Sequence, residues 1–509
     1  MDGIVYGIDV TPITDVLKDT FGNILPATPQ FALIIGALLI PALFFLTKKR
    51  AVCAILAEIA ILVAGFVVGL SIIDNSMFGS FLDMGLFKLD MFAAVMMFLF
   101  LGVSFFVVLI SPASSEISNH AGEYFALLLV ATAGMLFVAA SENLLAIFVG
   151  VECVSITSYA LTALKKNDPR SSEAAVKYLI IGGLSSGLAL YGISMIYGLT
   201  GTIQISEVSA VIAGMTEFSL PFGIAMIALI AGYGFKISAV PFHMWAPDVY
   251  EGASTPVSMF LSTGSKKMGF VVLFKIFFVL FALSASGFAV GEMQYVFAFI
   301  AAITMTVGNI VAISQRNIKR MLAYSSIAQA GYILIALAVM SQYALTGGIF
   351  HMITHVFMKG GAFIVVAALI TAGLGENISD YKGLAKRAPL VAAAMLLFLF
   401  SLAGIPPLAG FASKFVLFSG AIVIDGVVQT QWMWLAFVAI LNSAISLYYY
   451  ARVVKAMYIE KPECEDKLVI KKSHLAAILL CVFFVIAIGV YPEPVIKLCE
   501  LAAASLFGA

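Results

Sequence analysis

Amines, imidazoles and carboxyls recur in this sequence inside stretches that are otherwise apolar. Nine of them, Glu58, Glu152, Lys177, Lys236, Lys266, Lys267, Lys275, Lys359 and Lys414, fall within or near such stretches, with His243, His351 and His355 close by. At about 2.5–3.5 kcal/mol per charge at a helix centre, nine charges would cost roughly 20–30 kcal/mol in hydrocarbon, so they must face protein, water or one another. A buried lysine loses its proton readily and regains it when a carboxylate approaches; imidazole titrates near neutrality. The chemistry these types can do together is proton relay.

Their spacing sorts them. Glu152, in AIFVGVECVSITSYAL, reads either as a buried carboxyl bonded to a hydroxyl such as Ser155 or as the partner of a lysine on another span. Lys236 is the preferred lysine and Lys177 its competitor; at 4 Å and an effective dielectric near 20 such a pair attracts by ~4 kcal/mol. Lys266 and Lys267 are adjacent and point about 100° apart, so one faces a polar interior while Lys267 fits a snorkelling bystander better. His351, His355 and Lys359, in HMITHVFMK, cover one helical face over about 12 Å. They read as a proton path, with two plainer readings beside it: hydrogen bonds to neighbouring helices, or a zinc pair lacking a third ligand. His243 follows a helix break and is either a proton stepping stone or a cap for freed carbonyls. Lys414, in IPPLAGFASKFVLF, follows a second break and reads as the terminal lysine of the relay. Asp248 and Glu251, between two spans, read as surface or inter-subunit contacts. Glu58 has no evident partner.

The elements that must position these groups are membrane helices. The chain has 509 residues, is 62% apolar and only 11% charged, with zero net charge; its mean hydropathy is +1.08. Apolar segments of about 20 residues recur end to end, which excludes a soluble enzyme, and the neutral balance argues for no nucleic-acid partner. Five scattered cysteines without a C-x-x-C pair argue against an iron–sulfur cluster, structural zinc or a disulfide framework. No Gly-rich phosphate loop, Ser/His/Asp set or haem or flavin motif appears, so no cofactor or metal is expected on this chain. The first 26 residues carry Asp2, Asp9, Asp15, Lys18 and Asp19 and do not read as a cleaved signal peptide.

The expected fold is an all-α polytopic membrane protein with fourteen spans between residues 31 and 491. Loop charge tests the count: eighteen Lys and Arg fall on one side (48–50, 165–170, 316–320, 382–387 and 452–472) against Lys18, Lys88 and Lys497 on the other. That bias puts the basic loops in the cytoplasm and both termini outside the cell membrane. Span 7 breaks around Ser238–Pro241 and span 12 at Gly404-Ile405-Pro406-Pro407, each near a lysine. Paired breaks point to two inverted five-helix repeats, residues 123–285 and 286–457, between helices 1–3 (residues 1–122) and a closing segment of loop, helix 14 and tail (458–509).

Three stretches carry a resemblance. PFHMWAPDVYEGASTPVSMFLSTGSKKMGF, SLAGIPPLAGFASKFVLF and EAAVKYLIIGGLSSGLALYG resemble helices 7–8, 12 and 6 of the antiporter-like subunits of the respiratory complex I family, subunit N above all, over roughly residues 30–460. HMITHVFMKGGAF is more similar to the other large antiporter subunits and to Mrp-type antiporters. The resemblance implies a fourteen-helix fold with broken helices 7 and 12. It matches Glu152 to a helix 5 glutamate, Lys236 to its helix 7 partner, Lys266 to the central helix 8 lysine, Lys414 to the helix 12 lysine and Lys177 to a helix 6 lysine. It implies proton translocation driven by redox chemistry in partner subunits that carry flavin and iron–sulfur clusters, with NADH, reduced deazaflavin or ferredoxin as donor and a quinone or methanophenazine as acceptor. A subunit of a multi-subunit Mrp-type cation/proton antiporter is the alternative; an independent solute carrier or a scaffold leaves the line of buried charges unexplained.

Overall fold

In the computed structural model the described residues are 15, 22–74, 79–81, 86–117, 120–215, 219–282, 287–424, 426–462 and 466–507. The acidic N-terminal segment other than Asp15, and Cys464, lie outside them. The long helices are α1 (Thr28–Thr47), α2 (Arg50–Ile73), α3 (Met91–Ile110), α4 (Ala121–Ala140), α5 (Leu144–Thr162), α6 (Pro169–Thr200) and α7 (Leu220–Ile237). Then follow α8 (255–282), α9 (Gly287–Ser314), α10 (Ile318–Val339), α11 (Gln342–Thr371), α12 in two halves (Pro389–Ala403 and Ala409–Ile422), α13 (Met433–Tyr458), α14 (Lys472–Val490) and a short closing helix α15 (Glu493–Leu506). Two small antiparallel hairpins join neighbouring helices, Gly79–Phe81 with Phe87–Leu89 and Val423–Ile424 with Val427–Val428.

Among the described residues, twelve helices are long and apolar enough to cross a membrane. The other two expected spans are α8 and α12, which are interrupted. In α8, π-helical turns at Leu261–Ser265 and Phe274–Phe278 flank the stretch that opens with Lys266. A π turn widens the helix and frees one backbone register, which is why such turns gather at functional positions. Polar caps hold helix starts at the charged side: Asp168 accepts from Arg170 N on α6, and Asn317 from Lys319 N and Arg320 N on α10.

Helices 7 and 12 break where expected, and alike. In each, a residue in the left-handed region, Ser238 (φ 56°) or Gly404 (φ 91°), ends the first half just before a cis prolyl bond. Backbone groups freed within a membrane must be satisfied by protein. Trp245 Nε1 donates to Phe235 O at 3.0 Å, and Val240 N donates to Thr304 Oγ1 at 3.0 Å. At the second break, Lys414, Gln329 and Ser443 serve the last carbonyls of the first half.

The packing puts α10 and α11 at the centre: nearly every residue of each is buried, and α11 touches α3, α8, α10, α12, α14 and α15. The α9–α10 contact is close because a Cβ on Gly331 would lie 2.5 Å from Met305 N and one on Gly308 2.6 Å from Ala328 N. Rims of α1, α2, α6 and α13 expose leucine, isoleucine and phenylalanine, as lipid- or partner-facing surfaces do.

Candidate functional site

The central helices carry a line of buried amines, imidazoles and hydroxyls. Lys266 is 1% exposed and donates from Nζ to Ser326 Oγ at 3.0 Å. The next residue on α10, Ser325, accepts from Lys359 Nζ at 2.7 Å. Two adjacent serines thus hold two ammonium groups from different helices, α8 and α11. Ser325 also bonds Tyr450 on α13.

One and two turns back along α11 from Lys359 stand His355 and His351. His351 is bonded on both ring nitrogens, Nδ1 to Ser413 Oγ at 3.0 Å and Nε2 to Gln329 Oε1 at 2.9 Å. Gln329 spends its amide N–H on Leu402 O, so its oxygen is the atom facing His351, and the neutral imidazole donates from Nε2. His355 is buried, and neither of its nitrogens meets a hydrogen-bonding group among the described residues. The two rings are 6.2 Å apart.

Ser413 leads to Lys414. Its ammonium donates to Leu402 O at 2.7 Å, Ala403 O at 3.2 Å and Ser443 Oγ at 2.9 Å, and sits 4.9 Å from the Tyr332 ring centroid. It therefore lies at the C-terminal end of the first half of α12, where carbonyl dipoles favour a cation. A cavity of about 460 Å³ between α12 and α13 reaches it.

Lys236, on α7, is 4% exposed. The expected Glu152–Lys236 ion pair is not formed. Lys236 Nζ donates instead to Ser155 Oγ at 2.6 Å, one turn beyond Glu152 on α5, while Glu152 Oε1 accepts from Ser186 Oγ of α6 at 2.5 Å. Hydroxyls satisfy each of the two groups separately. Lys177 is not a competitor for Glu152: it sits nine residues, about 14 Å, before Ser186 on α6 and pairs with Glu173 at 2.7 Å and Asp248 at 2.8 Å.

Two further expectations are corrected. Lys267 does not snorkel: it is fully buried, its ammonium has no hydrogen-bond partner among the described residues, and the Phe270 ring lies 5.9 Å away. Asp248 and Glu251 are intramolecular: Arg320 Nη1 bonds Asp248 at 2.7 Å and Glu251 at 2.8 Å, tying the short helix Trp245–Gly252 to α10. Burial alone would raise the Asp248 pKa, but hydrogen bonds from Lys177 and Arg320 outweigh it and hold the carboxyl below the usual range. Lys275 bonds Ser141 O at 2.9 Å and Glu142 at 3.2 Å. His243, in the break of helix 7, keeps its Nδ1 without a partner among the described residues. Both carboxyl oxygens of Glu58 are likewise unpartnered, beside a cleft between α2 and α3.

The polar partners were not foreseen. Ser155, Ser325, Ser326, Gln329 and Ser413 carry the lysines and histidines, and Ser186 carries Glu152. The available signal was the cluster Ser325, Ser326, Gln329 and Tyr332 inside one apolar span. Among the described residues no group of three or more His, Cys, Asp or Glu could hold a metal ion. The arrangement joins amines, imidazoles and hydroxyls of different helices by hydrogen bonds, groups whose chemistry suits proton transfer.

Comparison with known proteins agrees with this geometry. Residues 141–446 match the profile described as NADH:quinone oxidoreductase/Mrp antiporter, TM. F(420)H(2) dehydrogenase subunit N of Methanosarcina mazei is 40% identical over 498 residues, covering 94% of this chain and 98% of that protein. NADH-quinone oxidoreductase subunit N of Desulforamulus reducens is 40% identical over 454 residues, covering 88% and 92%. A chain of respiratory complex I from Thermus thermophilus with bound aureothin superposes with a TM-score of 0.77 at 27% identity, over 92% of this chain and 98% of that one. With relatives matched along nearly their whole length, the chain belongs to the NADH:quinone oxidoreductase/Mrp antiporter transmembrane family.

Proposed function

We propose that this chain is a proton-translocating membrane-arm subunit of a complex I-like quinone or methanophenazine oxidoreductase. The observation that carries the reading is the buried line from Lys266 through Ser326, Ser325 and Lys359 to His355, His351, Ser413 and Lys414, spanning α8, α10, α11 and α12. Redox chemistry takes place in partner subunits carrying flavin and iron–sulfur clusters, and this chain makes no bonds. Residues 123–285 and 286–457 act as two inverted halves, each with one broken helix, and both termini face outside the cell membrane. The 40% identity to dehydrogenase subunits favours this reading over the Mrp-type cation/proton antiporter.

In the proposed cycle Ser155 is a resting place for Lys236. Moving the ammonium one turn, from Ser155 to Glu152, neutralises Glu152 with an attraction of ~4 kcal/mol at 4 Å. That displacement changes the field at Lys266, which yields its proton toward Lys359, His355 and His351; Lys414 receives it and releases it to one membrane face. Lys177 tunes the cytoplasmic end through Asp248, and His243 offers a ring nitrogen where helix 7 is unwound. Purification of the native complex tests the assignment: co-purifying flavin and iron–sulfur subunits support it. Sodium-dependent exchange by a complex without them contradicts it.

A further inference from the structure

The relay above leaves open how protons reach Lys266 from the cytoplasmic side. A cavity of about 420 Å³ lies over the start of α8, lined by Glu116, Tyr124, Lys165, Asp168 and Ser254 among others. Its loop walls are Glu116, Ile117, His120 and residues 164–168, which the charge count puts on the cytoplasmic side. Glu116 is its buried polar wall, 7% exposed, with Oε2 accepting from Thr255 N at 2.9 Å and Oε1 2.6 Å from Lys165 Nζ.

From this cavity a serine recurs at every fourth position, Ser254 at the cap of α8 and Ser258 and Ser262 within it, and the next step is Lys266. The run covers about 18 Å. In an ideal helix each four-residue step drifts by about 40°, and the wider π turn at Leu261–Ser265 takes back part of that drift. All three serines are buried. Ser262 Oγ donates to Ser326 Oγ at 3.2 Å, the same oxygen that accepts from Lys266, so the row joins the relay directly. Ser258 Oγ donates to Tyr250 O at 2.7 Å. The buried hydroxyls of Ser254 and Thr255 have no protein partner among the described residues, and that of Tyr250 faces Ser262 and Ser326. Buried hydroxyls are satisfied by protein or by ordered water, so the two unpartnered ones at the cavity end of the row mark a hydrated path.

We infer that the cytoplasmic proton inlet of this chain is the cavity at Glu116 and the hydroxyl row Ser254–Ser258–Ser262, which delivers protons to Lys266. The inference rests on the proton-carrying role of Lys266 proposed above. A proton taken up at the cavity mouth passes along water and serine hydroxyls, each accepting one proton and donating another. It ends on neutral Lys266, which becomes an ammonium ion; the row itself returns to its starting state once its hydroxyls have reoriented.

The test uses the intact complex in sealed vesicles of both orientations, with Ser254→Cys, Ser258→Cys and Ser262→Cys made singly and Leu261→Cys, buried off the row, as control. Silver ion is the probe, being small enough for a water file and reactive with thiols. Added from the cytoplasmic side, it is expected to lower proton transport of the three serine variants by roughly tenfold. The wild type and Leu261→Cys keep theirs, and silver added from the outside is without effect. Mass analysis of the assembled complex reads thiol modification independently of activity. Unmodified thiols at Ser258→Cys and Ser262→Cys, or equal reaction from both sides, would overturn the inlet. Persistence of proton transport in Lys266→Ala sinks the relay reading instead, so the two failures are distinguishable.

Discussion

Replacing Lys414 by methionine separates a proton-carrying lysine from a structural cap. Its ammonium donates three hydrogen bonds at 2.7–3.2 Å, each from a charged donor and therefore worth about 1.5–3 kcal/mol. Against them stands the desolvation of a buried ammonium, several kcal/mol. The carbonyls it serves do not depend on it: Leu402 O also accepts from Gln329 Nε2 at 3.2 Å, and Ala403 O from Ser443 Oγ at 2.8 Å. Lys414→Met should therefore change stability by no more than about 2 kcal/mol, since charge and desolvation leave together. Ser443→Ala keeps the charge and removes one partner of both the lysine and Ala403 O, so it should cost about 1–3 kcal/mol. The assay is thermal unfolding of the purified complex beside protons moved per electron in vesicles. Lys414→Met should leave the melting profile close to wild type and reduce that ratio, and Ser443→Ala should do the reverse. A Lys414→Met complex that falls apart, or that pumps normally, would refute the reasoning.

Other variants bear on separate parts of the structure. Lys267→Met loses no hydrogen bond and removes an unpaired buried ammonium, so the complex should melt at the same or a higher temperature; a large drop in a thermal scan would show a hidden partner. Gly410→Ala places a methyl 1.7 Å from Ser401 O, where the two halves of α12 meet, and should prevent assembly of this chain, read by blotting of membranes. The Asp248 pKa is depressed in the folded chain, so its ion pairs contribute stability above the unfolded value near pH ~4, and that contribution is lost as pH falls through the folded value. Wild type should therefore lose melting temperature on acidification below about pH 4 more steeply than Asp248→Asn; parallel curves would show that the pairs contribute nothing.

Much of the fold is visible in the residues because lipid imposes it. An apolar stretch with few charges has to be a helix in a membrane, so the spans, and the breaks at Ser238–Pro241 and Gly404–Pro407, can be read directly. The lysines and histidines stand out for the same reason. What cannot be read is pairing across helices. Serine is tolerated in any membrane helix, so nothing marks Ser326 as the partner of Lys266 or Ser155 as that of Lys236 until α10 and α5 are packed. The pairing of Glu152 with Lys236 failed for this reason: opposite charge is legible, but a hydroxyl one turn away is not. Asp248 and Glu251 looked like surface because their partners, Lys177 and Arg320, lie about 70 residues away in either direction.

Protons translocated per electron, measured in vesicles containing the complex, bear most directly on the relay. With Lys266→Ala or Lys236→Ala in this chain, the ratio should fall while the complex stays assembled. An unchanged ratio with electron transfer continuing at the wild-type rate would contradict proton passage through this line.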